Sequence, residues 1–257
     1  MMHGWSRILR QLMVRPINRA LGLFGCRITR VRPSVPDLDL DSDFTEIATR
    51  CRPYTMTSLE RMYALYQAVR YVIEAGIPGA VVECGVWRGG SCMLVAFTMM
   101  RLGDLREIWL YDTFEGMTQP SEHDVCWDGT PALQRYRELG GGRHWCFASL
   151  EEVVRNMGST GYPAAKLVFV KGPVEQTLMR RAPESISILR LYTDWYASTR
   201  TELEVLFPKL SHRGVLILDD YGYWAGAKRA VIEYFVANRV QMLLNRVDDT
   251  CRIGIKL

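Results

Sequence analysis

Between residues 80 and 218, short apolar runs alternate with stretches of helical spacing, and this alternation constrains the fold more than any other feature. Strands are predicted at 80–84, 108–111, 167–170, 188–192 and 215–218. Helical patterns fall at 91–102, 149–158, 174–181, 199–210 and 225–238. Strand–helix–strand units pair in parallel through right-handed crossovers. The expected fold is therefore α/β, with a doubly wound, mostly parallel sheet. Ahead of the first strand, Leu59, Met62, Leu65, Val69, Val72 and Ile73 predict a helix, with Gly76 and Pro78 as stop signals. The end of the sequence breaks the alternation. Residues 242–247, the turn Asp248-Asp249-Thr250 and residues 251–257 read as a C-terminal antiparallel hairpin.

Composition narrows the function classes. With 48% hydrophobic and 23% charged residues, the 257-residue chain is neither disordered nor collagen-like. No apolar run reaches the roughly 18 residues of a membrane span. The net charge is +4, yet residues 1–36 hold seven arginines and no acid, which leaves −3 on the remainder. A mildly acidic body argues against nucleic acid as a partner. Residues 1–52 are expected to form a basic N-terminal arm and linker, and residues 53–257 the catalytic domain. Within the arm, Trp5, Ile8, Leu9, Leu12 and Leu21 suit an amphipathic helix that Pro16 interrupts. The arm is read as packing on its own domain or a sister subunit of a homo-oligomer. Contact with a membrane surface is the alternative. Seven scattered cysteines without a CxxC pair suit reduced thiols in a cytoplasmic protein.

In doubly wound folds, ligands sit beyond the carboxyl ends of the strands. The first strand runs into Glu83-Cys84-Gly85-Val86-Trp87-Arg88-Gly89-Gly90-Ser91, and the second ends at Asp112, 22 residues beyond Gly90. Gly85 permits a tight turn, and Gly89 and Gly90 permit close backbone approach. An acid at 112 can accept hydrogen bonds from ribose hydroxyls. The pattern E-x-G-x-x-x-G lacks the dinucleotide signature G-x-G-x-x-G. Glu83 suits a cationic ligand, and S-adenosylmethionine carries a sulfonium and an amino group. A paired structural acid with an ordinary tight turn is the competing reading of the same residues.

Longer motifs resemble the macrocin/mycinamicin-type (TylF/MycF-like) O-methyltransferase family. They are Pro53-Tyr54-Thr55-Met56-Thr57-Ser58, the segment from Val82 to Ser91, Tyr111-Asp112-Thr113-Phe114-Glu115-Gly116-Met117, Phe169-Val170-Lys171-Gly172-Pro173-Val174, Thr193-Asp194-Trp195-Tyr196 and Leu218-Asp219-Asp220-Tyr221-Gly222. The resemblance runs from about Pro53 to the C-terminal end. It implies a class I methyltransferase fold with S-adenosylmethionine at Glu83, Gly85, Gly89, Ser91, Asp112 and Thr113. The adenine is expected near Lys171, Gly172 and Pro173. Relatives of this type methylate sugar hydroxyls on natural products with a divalent metal, usually Mg²⁺, and others belong to surface-polysaccharide pathways. A small-molecule sugar or glycan acceptor is thus expected.

Asp219 and Asp220 end a strand and Asp194 follows another, so the three can converge on one rim. Adjacent acids repel unless a cation or donors compensate them. Oxygen ligands of this kind suit Mg²⁺, and Asp194, Asp219 and Asp220 are the expected metal ligands. Asp194 is also the expected catalytic base. Asp219 as a cap and Asp194 paired with an arginine is the structural alternative. Two positions depart from the family pattern. Tyr192 stands where relatives carry an acid, and Tyr223 where they often carry His. Trp127, Trp145, Trp195 and Trp224 are candidate stacking surfaces for a sugar ring, with core packing as the equal alternative for each. The expected activity is O-methyl transfer. A non-catalytic methyltransferase-like binding subunit and a nicotinamide-dependent dehydrogenase are the alternatives.

Overall fold

The computed structural model describes residues 41–257, so the basic arm at 1–36 lies outside the described residues. The central strand β1 (Ala80–Cys84) is buried at every position. It pairs in parallel with β2 (Ile108–Asp112) on one side and with β4 (Ile186–Leu191) on the other. β3 (Leu167–Lys171) extends the sheet beyond β2, and β5 (Leu210–Leu218) lies next to β4. The order is β3-β2-β1-β4-β5-β7-β6, where β6 (Asn245–Arg246) and β7 (Arg252–Ile255) form the antiparallel hairpin and β7 pairs with β5. The strand order reverses between β1 and β4, where a doubly wound sheet opens a crevice.

Side-chain alternation gives the two faces different chemistry. Val82 and Cys84 of β1, Trp109 and Tyr111 of β2, Leu189 and Leu191 of β4 and Leu216 and Leu218 of β5 share one apolar core. On the other face Glu83 lies opposite Arg190 in register. Helices cover this polar pair. α1 (Ser42–Cys51), α2 (Leu59–Glu74) and α3 (Gly90–Arg101) precede or follow β1, and the Cys92 thiol of α3 donates to Glu83.

Several elements differ from expectation. Residues 42–51, expected within a linker, form α1. Phe44, Ile47, Ala48 and Cys51 recur at helical spacing and are buried, and the Asp41 side chain caps the helix by accepting from the Phe44 amide at 2.9 Å. The polar, Gly-rich stretch 118–144 contains α4 (Ala132–Glu138) and is pinned to the body. Asp124 accepts from the Tyr196 amide at 2.7 Å, and Cys126 and Ala132 pack with Trp195 and Trp224. α5 (Leu150–Gly158) matches its sequence pattern, whereas α6 (Val174–Thr177) is a single turn of the predicted 174–181. α7 (Tyr196–Leu206) starts earlier than its pattern, and α8 (Ala225–Ala237) agrees with it. The six described cysteines are free thiols. Among the described residues no helix is long and apolar enough to cross a membrane.

The hairpin is clasped to the start of α2. Asp248 accepts from the Ser58 hydroxyl at 2.8 Å and from Arg61 Nε at 2.6 Å, while its other oxygen takes the Thr250 and Cys251 amides. Burial alone would raise this carboxyl, but Arg61 and the two amides outweigh it and hold Asp248 well below the usual carboxylate range. Asp248→Ala should destabilise the protein by about 3 kcal/mol. The melting temperature should fall by about 6–12 °C. A carboxyl with a lowered folded pKa contributes fully above its unfolded value, near 3.9, and loses that contribution as pH falls through the folded value. The stability gap between wild type and Asp248→Ala in thermal unfolding should therefore be constant near neutrality and shrink below about pH 4.

Candidate active site

The tight turn after β1 is shaped by contact as much as by dihedral angle. Gly85 has φ +83°, and a Cβ there would lie 2.1 Å from the Tyr192 carbonyl oxygen. No side chain fits while β1 and β4 remain paired. The two loops beyond β1 and β2 are then stapled by one carboxylate. Asp112 Oδ2 accepts from the Val86 and Trp87 amides at 2.8 and 3.0 Å, and Oδ1 accepts from the Phe114 amide at 2.8 Å. Trp87 and Phe114 both have positive φ, as do Cys146 and Asp194 around the same cleft. Non-glycine residues in this region carry strain, which the surrounding contacts must hold. Burial raises the Asp112 pKa, and the three amides oppose that rise. Asp112 thus lines the cleft as expected, but most of its acceptor capacity serves the main chain.

Gly85, Asp112, Thr113, Gly172 and Pro173 line one continuous recess with Gly116, Met117 and Thr193. Lys171 sits at its rim, paired with Glu115 at 3.0 Å. Gly89 and Ser91 do not line it. Gly89 caps α3 with φ +85° and faces Val153, and Ser91 is buried in the first turn of that helix. Glu83 also lies away from the recess. It is 3% exposed and ion-paired with Arg190, so it serves the sheet rather than a ligand. The competing structural reading of Glu83 is the one the geometry supports.

The recess opens into a cleft of about 470 Å³ that contains Asp194, Asp220, Tyr192 and Arg61 and is walled by Trp145 and Trp224. Asp194 and Asp220 lie beside one another in the cleft, each within the other's electrostatic influence. Burial raises both carboxyls, Asp220 strongly, and the Asp194 charge adds to the rise at Asp220. Asp220 Oδ2 is buried without a hydrogen-bond partner. Tyr192 is raised further above its ordinary value by burial and by the neighbouring acids, so its phenol stays neutral. Trp195 and Trp224 are both packed in one buried cluster and Trp127 is 72% exposed away from the cleft, so of the four expected tryptophans Trp145 is the one that keeps surface toward the cleft. Tyr223 also lines the cleft and accepts a hydrogen bond from Arg135 at 2.9 Å. A second cavity, of about 520 Å³, lies between α2 and the hairpin. Its walls are largely aliphatic and it holds no carboxylate, imidazole or cationic side chain, so it is not the reacting site.

The three expected Mg²⁺ ligands border one small pocket, but Asp219 is committed elsewhere. Asp219 is fully buried, and both of its oxygens face guanidinium groups. Arg61 Nη1 donates to Oδ1 at 3.2 Å. Arg190 Nε lies 2.5 Å from Oδ2, a charge contact whose direction falls short of a hydrogen bond. With Tyr192 neutral, only Asp194 and Asp220 remain. Among the described residues no three His, Cys, Asp or Glu side chains come together in a metal-binding group. The donor set therefore does not fit a divalent ion at Asp194, Asp219 and Asp220. Displacing Asp219 from its arginines would leave buried charge uncompensated, at a cost of about 3–5 kcal/mol.

Arg61 and Arg190 were not among the predicted site residues. The signal for Arg190 was present as a lone charge inside the apolar run Ile188-Leu189-Arg190-Leu191, which demands a buried partner. Arg61 carried no such signal, because an arginine in the first turns of a helix is commonly solvated.

Comparison with known proteins places the chain in a family. Residues 42–253 match the family described as Macrocin-O-methyltransferase (TylF). The chain is 34% identical over 183 residues to the demethyldecarbamoylnovobiocin O-methyltransferase of Streptomyces niveus, covering 70% of this chain and 67% of the relative. It is 31% identical over 226 residues to an 8-demethyl-8-(2,3-dimethoxy-alpha-L-rhamnosyl)-tetracenomycin-C 4'-O-methyltransferase of Streptomyces olivaceus, covering 86% and 82%. The solved structure of the O-methyltransferase NovP superposes with a TM-score of 0.71 at 29% identity, covering 79% of this chain and 82% of that one.

The staple role of Asp112 sets an expectation beyond ligand binding. Asp112→Ala leaves three loop amides without their acceptor, so it should destabilise the unliganded protein by about 3 kcal/mol. Unfolding without ligand should register that loss. Calorimetry with S-adenosylhomocysteine should register a second one. An unchanged melting temperature would show that the carboxylate does not hold the loops.

Proposed function

Since the chain belongs to the macrocin O-methyltransferase (TylF) family, we propose that it transfers a methyl group from S-adenosylmethionine to a hydroxyl of a sugar on a small glycosylated molecule. The observation that carries this reading is the Asp194–Asp220 pair at the floor of a tryptophan-walled cleft that is continuous with the recess at Gly85, Gly172 and Pro173. The recess suits the nucleoside and amino-acid parts of the cofactor, with adenine against Gly172–Pro173. The Trp145 ring, backed by buried Trp224, offers an apolar face to a sugar, and the carboxyls below offer acceptors to its hydroxyls. Relatives whose names specify rhamnosyl-tetracenomycin and novobiocin precursors as substrates support a glycosylated small-molecule acceptor.

The chemistry needs one proton acceptor and good alignment. Bound in the recess at Gly85, Asp112, Gly172 and Pro173, S-adenosylmethionine would supply the methyl carbon to the acceptor oxygen and leave as the neutral thioether S-adenosylhomocysteine, the electron pair of the broken carbon–sulfur bond remaining on sulfur. Asp194 takes the hydroxyl proton. Holding the oxygen and the methyl carbon in contact supplies much of the rate. Asp194 gains basicity from burial, because a carboxyl with a raised pKa removes a hydroxyl proton more readily once it is ionised.

Two measurements test the reading. Calorimetry should give one S-adenosylhomocysteine per chain. Incubation with deuteromethyl S-adenosylmethionine and a panel of phenyl glycosides, read by mass spectrometry, should give a labelled ether. Asn fits the left-handed backbone at 194 and removes the base, so Asp194→Asn should keep S-adenosylhomocysteine affinity and lower transfer by about 10²–10⁴-fold. The wild-type rate should rise with pH through an apparent pKa above the ordinary carboxylate value, and Asp194→Asn should lack that rise. A chain that binds no S-adenosylhomocysteine sinks the proposal.

A further inference from the structure

Resting on that reading, we infer that the Arg61 guanidinium is a built-in cation in the place of the divalent ion, so that the acidic floor is organised without a metal. Arg61 lines the same cleft as Asp194 and Asp220. Its guanidinium is held on three sides. Nε donates to Asp248 Oδ2 at 2.6 Å, Nη1 donates to Asp219 Oδ1 at 3.2 Å, and Nη2 donates to Thr250 Oγ1. Thr250 Oγ1 in turn donates to the Asp219 carbonyl at 3.0 Å. The hairpin turn therefore fixes the cation against the strand end that would supply a metal ligand.

Position 192 completes the exchange. An acid there would add a third free carboxylate beside Asp194 and Asp220. The tyrosine adds none, and its ring stacks on Arg190 with the guanidinium carbon 5.1 Å from the ring centroid. A guanidinium carries five N–H donors, and three of those on Arg61 are engaged. Two remain for the cleft it lines. Across the same cleft Asp220 Oδ2 is buried and lacks a donor. An acceptor hydroxyl bound in this cleft accepts from Arg61 while its proton faces Asp194, which lines the same cleft. Arg61 thus positions the acceptor oxygen and supports negative charge developing on it. Unlike a bound ion, it is not removed by a chelator.

The test uses Mn²⁺ as the probe, on the full chain with S-adenosylhomocysteine present, and reads free Mn²⁺ by electron paramagnetic resonance. Wild type should leave the free-ion signal undiminished across a millimolar titration. Arg61→Gln releases Asp219 Oδ1 to face Asp194 and Asp220 and should create one saturable Mn²⁺ site per chain. Arg61→Lys keeps the charge and should bind none. Transfer to the glycoside found in the panel should be unchanged by EDTA in wild type. One saturable site in wild type, or transfer lost in EDTA and restored by Mg²⁺, overturns the inference. So does a folded Arg61→Gln protein that takes up no Mn²⁺. If Arg61→Gln does not fold, by circular dichroism, the wild-type titration still decides. Calorimetry with S-adenosylhomocysteine on the same samples separates this outcome from failure of the cofactor reading.

Discussion

Arg190 sits in the middle of a central strand with 4% of its side chain exposed, between Glu83 of β1 and Asp219 at the end of β5. A lone charge in such a place would cost several kcal/mol. Here it is offset by two carboxylates on the neighbouring strands, and Cys92 adds a donor to Glu83. The group spans the three strands that flank the reversal in strand order, so the crevice edges cannot drift apart without exposing charge. It also decides the chemistry above it. Asp219 faces inward, Asp220 faces the cleft, and two adjacent acids with the same apparent promise acquire opposite roles. Burial of this kind selects geometry more than it adds stability.

The strand–helix alternation was plain in the sequence because each element repeats its own period. The parallel strands, the hairpin and most helices lie close to their predicted positions for that reason. α1 was hidden in a stretch dominated by Pro and Asp, although Phe44, Ile47, Ala48 and Cys51 carry the period and Asp41 the cap. The recess was legible at Gly85, Asp112, Gly172 and Pro173, whose roles follow from local turn chemistry. The acids were legible as a set but not in their partners. Glu83 and Arg190 are 107 positions apart, and Arg61 and Asp219 are 158 apart. Such pairings are set by sheet order and helix placement, which periodicity does not specify. The arginines facing the expected Mg²⁺ ligands were missed at that step, because counting carboxylates overlooks their partners.

The loops around the cleft show where local preference yields to the site. Trp87, Phe114, Cys146 and Asp194 all adopt left-handed backbone, although only the aspartate tolerates it readily. Asp112 accepts from the amides of the first two, so one acid sets the shape of both loops beyond β1 and β2. Strain is retained where the chain must wrap a ligand and is absorbed by a well-satisfied carboxylate beneath.

The clasp between α2 and the hairpin has a consequence for biosynthesis. Arg61 and Asp248 are separated by 187 residues, and Ser58 and Asp248 by 190. At ribosomal speeds of about 5–20 residues per second, Arg61 waits roughly 10–40 s for its partner to be made. During that interval β1 to β4 can pair while the cleft lacks a fixed cation and Asp219 lacks one of its two arginines. The nascent protein can therefore be folded across much of its sheet before it has an organised acceptor floor. Fixing of Arg61 in the cleft is timed by the hairpin, the described element made last.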